Sequence, residues 1–160
     1  MTAALLAPTK GLRNMPRATR SLPARRPATP GNADARIAPA LPPAFDAFRA
    51  LHSGCYLGYA QLHLPADEAA DAVAHTLGHL LTHWPHVVSQ PSPATYAWQQ
   101  LVAFTASRHH PLPLNTSSPQ QYDTVVLHHG LGYPLKAVAD STGLHPAKAA
   151  YLARSWRPSK

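Results

Sequence analysis

The chain has 160 residues, 45% of them apolar and 18 of them proline, and a net charge of +7. That length allows one compact unit or two very small ones. A single cysteine, Cys55, excludes an internal disulfide, and no apolar run approaches the ~20 residues that a bilayer-spanning helix needs.

Charge is concentrated at the start. Residues 1–43 carry Lys10, Arg13, Arg17, Arg20, Arg25, Arg26 and Arg36 against one acid, Asp34, which accounts for +6 of the total +7. Prolines crowd the same stretch, fixing φ and removing backbone donors among residues with little to bury. It is predicted to be a disordered basic Pro/Ala/Arg-rich arm. Such an arm suits a polyanion, nucleic acid being the commonest, or serves only as a solvated tail. The short apolar patch Met1–Ala7 precedes the charges, which argues against a secretory signal; an organelle transit segment is the minor alternative. The lone thiol fits a reducing compartment, and a cytoplasmic location is expected.

Six helices are predicted after the arm, and no strand pattern or internal repeat is found. The first runs over 44–61, with Phe45, Phe48, Leu51, Cys55, Tyr59 and Leu62 as its apolar stripe. Cys55 reads as a small core residue. The second runs over 65–84. Pro65 suits a first turn, Asp67 and Glu68 complement the helix dipole, and Ala69, Ala70, Val73, Leu77, Leu80, Leu81 and Trp84 form the buried face until Pro85 stops it. The third starts at Ser92-Pro93, a cap followed by proline at the first helical position, and buries Ala94, Ala97, Trp98, Leu101, Val102 and Phe104. A connector over 109–117 reads as a boundary between two helical units, 44–108 and 118–157. Ser118-Pro119-Gln120-Gln121 is a capping box that opens the fourth helix, with Tyr122, Val125 and Val126 inward and Gly130 and Gly132 ending it. Helices over 134–142 and 146–156 follow.

The last pair reads as a helix-turn-helix. That motif needs a small residue where two helices cross, a glycine where φ turns positive, and apolar residues that lock the second helix on the first. Ala139, Gly143, and Leu144 with Ala149 and Leu152 supply these in order, beside Val138. An ordinary helical hairpin is the alternative. In the motif, 146–156 is the recognition helix, His145 stands at its mouth, and Lys148, Tyr151 and Arg154 point outward to phosphates or base edges.

The order of these parts resembles the sigma-70 family, in particular its small two-domain, extracytoplasmic-function type, over residues 44–157. Phe45-Asp46-Ala47-Phe48-Arg49-Ala50-Leu51-His52 looks like the first helix of region 2. Pro65-Ala66-Asp67-Glu68-Ala69-Ala70-Asp71-Ala72-Val73 is similar to the acidic start of the clamp-binding helix. Ala97-Trp98-Gln99-Gln100-Leu101-Val102-Ala103 resembles the Ala-Trp-Leu-x-x-Ile-Ala segment near the −10 element. Ser118-Pro119-Gln120-Gln121-Tyr122, then Gly132 through Ala139 and Gly143-Leu144, resembles region 4, which reads the −35 element. The chain departs from the family at contact positions. Ala74-His75 replaces Gln-Glu, Ala137 replaces a Glu, Ala147-Lys148-Ala149 replaces Gly-Thr-Val, and Thr105 replaces an Asn.

The resemblance implies an all-α protein, not an enzyme, that needs no cofactor and binds promoter DNA and RNA polymerase core in transcription initiation. DNA-binding residues are then expected at His145, Lys148, Tyr151, Arg154, Trp98 and Arg108, and polymerase-binding residues at Asp67, Glu68 and Asp71. The alternative is a sigma-like interaction protein that binds polymerase or an anti-sigma protein without starting transcription. A lesser one is a histidine-based metal protein. His75, His79 and His83 recur at four-residue steps, but His75-Thr76-Leu77-Gly78-His79 lacks the glutamate of a hydrolytic zinc helix, so no metal site is assigned.

Overall fold

The computed structural model describes residues 40–159. The arm expected over 1–43 therefore lies, up to residue 39, outside the described residues. The chain from Pro39 to Lys160 forms one compact unit. Its elements are α1 (Pro43–His63), α2 (Ala66–Thr82), α3 (Trp84–Val88), α4 (Pro93–Thr105), α5 (Pro119–Val125), a π-helical turn (Val126–Gly130), α6 (Leu135–Thr142) and α7 (Pro146–Ser155). The described residues contain helices and no strand. None of these helices is long and apolar enough to cross a membrane.

Local signals set most helix starts. Ser92 Oγ accepts from the Thr95 N–H at the start of α4, and Ser118 Oγ accepts from Gln121 N–H at the start of α5, each satisfying a donor that the first turn leaves orphaned. The second half of the Ser118 box differs from expectation. Gln121 Oε1 reaches back to the N–H of Ser117, one residue earlier.

Pro85 does not stop the second helix. α2 ends at Thr82, His83 breaks the helical geometry (φ −108°, ψ 21°), and Pro85 sits in the first turn of the short α3. A proline lacks only a donor there that would have no partner anyway. The fourth helix also departs from the expected path. Past Val125 it widens, so that Leu131 N–H donates to Val126 O at 3.0 Å, an i→i−5 bond.

The buried face of α1 is rotated from the predicted stripe. Phe45, Cys55 and Tyr59 are inside, but Leu51 is 66% and Leu62 37% exposed, while His52, Tyr56 and Ala60 are buried. On α2, Ala70 faces out and Thr76 in; Thr76 is tolerated there because its hydroxyl donates to Ala72 O. Phe104, assigned to the core of α4, is 43% exposed.

α4 is central. It packs on α1, α2, α3 and α6. Trp98 meets Tyr59 edge-on at 4.7 Å between ring centres and Tyr56 at 5.8 Å, and Leu80, Leu101, Leu127 and Val138 complete the same core. The 109–117 connector therefore does not separate two units. α1 and α4, before it, share their core with the π turn and α6, after it. The cause is a polar tie as well as an apolar one, because Tyr59 and Trp98 both donate to Asp123 on α5.

Candidate nucleic-acid interface

The α6–α7 pair has the steric features that a helix-turn-helix requires. Val138 and Ala139 on α6 and Ala149 and Leu152 on α7 are buried. Gly143 closes α6 with φ +71°, a left-handed conformation that favours glycine. A Cβ on Gly143 would collide with the Thr95 hydroxyl and lie 2.5 Å from the Thr95 backbone nitrogen. The turn thus sits directly on the first turn of α4, where Thr95 Oγ1 also donates to Gly143 O at 3.3 Å.

A buried amide secures the other end of α7. Gln121, 4% exposed, donates from Nε2 to Leu152 O at 3.2 Å and Ser155 Oγ at 3.0 Å, while Oε1 accepts from Ser117. His129, on the π turn, bonds Ala153 O and lies against Trp156 at 5.1 Å. The widened turn gives this histidine its aim, since an extra residue per turn re-phases the side chains that follow. Sequence reading found Gln121 as a capping residue and missed its bond to α7, which joins residues 31 and 34 positions apart.

With its inner face held, α7 presents Lys148, Tyr151 and Arg154 to solvent, and Tyr151 is 64% exposed. His145 caps the helix, its Nδ1 accepting from Ala147 N–H at 3.2 Å, and stays exposed. Two cations, a phenol and an imidazole on one helix form a surface that can meet phosphates and base edges.

Trp98 does not belong to that surface. It is 3% exposed, its ring is enclosed by Tyr56 and Tyr59, and its indole N–H donates to Asp123 Oδ2 at 2.9 Å. A ring so enclosed cannot stack on a base, which overturns its assignment to DNA. Burial won over exposure because the indole N–H found a carboxylate partner inside. Arg108 is half-exposed and pairs with the same carboxylate at 3.2 Å. Asp67, Glu68 and Asp71, expected to meet polymerase, are all exposed in the first half of α2.

Asp123 is the residue that sequence reading passed over. It is 3% exposed, and its oxygens accept from Tyr59 Oη (2.8 Å), Trp98 Nε1 and Arg108. Ser107 Oγ adds a 3.0 Å contact with Tyr59 Oη. Burial, reinforced by the adjacent Asp123 charge, raises the Tyr59 phenol above its ordinary range and keeps it protonated as a donor. One signal was available: Asp123 is the lone acid of the predicted fourth helix, next to the inward Tyr122, and a charge brought inside must have partners.

Trp98, Asp123, Arg108, His145 and Lys148 border one cleft of about 290 Å³ between α4, α5 and the α6–α7 turn. Tyr151 borders a separate hollow with Asn115 and Arg157. The histidines of α2 form a third surface. His75 and His83 bond backbone oxygens one turn earlier through Nδ1, and the His79 and His83 rings lie 4.4 Å apart. Among the described residues no three His, Cys, Asp or Glu side chains converge on a point that could hold an ion. No protein-family model, curated protein or solved structure matches the chain.

Proposed function

We propose that this protein is a sigma-like DNA-binding factor of transcription initiation, binding promoter DNA through α7 and RNA polymerase core through Asp67, Glu68 and Asp71. The observation that carries the reading is the outer face of α7. Lys148, Tyr151 and Arg154 are exposed together on a helix fixed from behind by Ala139, Gly143 and Gln121. A rigid helix loses little entropy on docking, so even a sparse set of contacts can give a defined register on a duplex. The basic residues of 1–43 add sequence-independent attraction to phosphate.

A second reading has support of its own. The burial of Trp98 removes the aromatic group expected beside melted −10 DNA, and the packing of α4 on α6 joins the two halves that the resemblance implies are separate. Both favour a sigma-like interaction protein that binds polymerase or an anti-sigma protein without starting transcription. Co-purification with core polymerase, followed by run-off transcription from core plus this protein, separates the two. Initiation dependent on the protein supports the first reading. Binding without initiation supports the second, and neither binding nor initiation removes polymerase from both.

A further inference from the structure

The cleft between α4, α5 and the α6–α7 turn has a one-sided chemistry. Asp123 is the only acid on its wall, and both carboxylate oxygens are already accepting. Donors are in surplus. Arg108 commits one nitrogen to Asp123 and, among the described residues, has no other protein partner. Among the described residues, the Lys148 ammonium and the Gln99 and Gln120 amides on the same wall have no hydrogen-bond partner in the protein. His145 adds one more donor: its Nδ1 accepts from Ala147, so the neutral ring carries its proton on Nε2. Arg108 and Lys148 against Asp123 leave the wall with a net charge of +1 and with unused donors.

Shape narrows the class of ligand. The cleft holds about 290 Å³ and reaches Trp98 and Asp123, each 3% exposed. A small anion fits a cleft of that volume. The guanidinium fork matches a phosphoryl group with two parallel bonds, and an ammonium adds a mobile third.

We propose that this cleft binds a small phosphorylated ligand, its phosphoryl group held between Arg108 and Lys148 with Gln99, Gln120 and His145 as further donors. The assignment does not depend on DNA binding by α7, although Lys148 and His145 serve both surfaces.

The test uses the full chain, titrated with sodium pyrophosphate at constant ionic strength and followed by two-dimensional proton–nitrogen NMR. Saturable shifts are expected at the Gly143, Leu144 and Lys148 amides, at Arg108 Nε–H and at the Gln99 side-chain amide. Lys148→Gln should weaken binding at least ~fivefold, the loss of one charge-assisted contact. Gln99→Leu should weaken it too, while Lys136→Gln on α6 leaves it unchanged. Both weakening variants are at exposed positions, so the fold is not at stake. Shifts confined to residues 1–39, or equal affinity in Lys148→Gln and wild type, would overturn the proposal. So would short duplex DNA that produces the same shifts at Arg108 Nε–H and Gln99, since the occupant would then be a backbone phosphate.

Discussion

At the scale of single residues, Asp123 sets the terms for its neighbours. Three donors from α1, α4 and the segment after α4 converge on one buried carboxylate. An amide in its place would turn an N–H₂ toward groups that are themselves donors. Asp123→Asn is therefore expected to cost about 2 kcal/mol, below the full cost of breaking a buried pair because Arg108 can turn to water. Urea denaturation measures it, and an unchanged midpoint would refute the hub. His52 makes a second case. It is 4% exposed between Phe48 and Tyr56, with Nδ1 3.3 Å from Ser141 Oγ. Burial lowers its pKa below 6.5, against a smaller opposing pull from Asp140. Between 6.5 and that lower value the unfolded chain binds the extra proton, so stability should fall as pH drops below 6.5. Denaturation midpoints measured from neutral pH down to about pH 5 should fall for wild type and fall less for His52→Gln.

At the scale of elements, the helix starts were legible because their signals are local. Ser92-Pro93, Ser118-Pro119 and Gly143 each act within four residues, and each starts or ends its helix as suggested, although Gln121 of the Ser118 box bonds Ser117 and not Ser118. The failures come from interactions between distant residues. Leu51 and His52 exchange places because Ser141, 89 residues beyond His52, offers a partner inside. Past Val125 the helix widens, and from that turn His128 and His129 reach Tyr133 O and Ala153 O. Neither partner can be read from a hydrophobic period. Spacing alone placed Ala139, Ala149 and Leu152 inside and Gly143 at the turn, but not the seat of that turn on Thr95, since it pairs positions 48 apart. Gly143→Ala combines a disfavoured φ with a clash against backbone, and should cost ~2 kcal/mol or more. A thermal melt checks this, and a loss under half that size would mean that α4 yields easily.

At the scale of the whole molecule, the single core of the described residues means that the proposed interface is carried by one body and not by a hinged pair. On the proposed reading, DNA affinity should still be dominated by charge, because only two cations stand on the outer face of α7 while the first 43 residues hold seven. Binding to a duplex should therefore fall steeply with salt. Arg154→Gln is expected to lower the slope of log K against log salt by about one, as loss of one phosphate contact does. A mobility-shift series at several salt concentrations reads this directly. An unchanged slope would place Arg154 off the DNA, and with it the face of α7 from which function has been argued.

The tight seat of Gly143 separates what can vary from what cannot. No side chain of any size fits between the turn and Thr95, so position 143 admits one amino acid, while Lys148, Tyr151 and Arg154 on α7 are exposed. Substitutions at 148, 151 and 154 can accumulate without disturbing the scaffold. A library randomised there should yield folded proteins of altered target preference, and one randomised at 143 should return glycine.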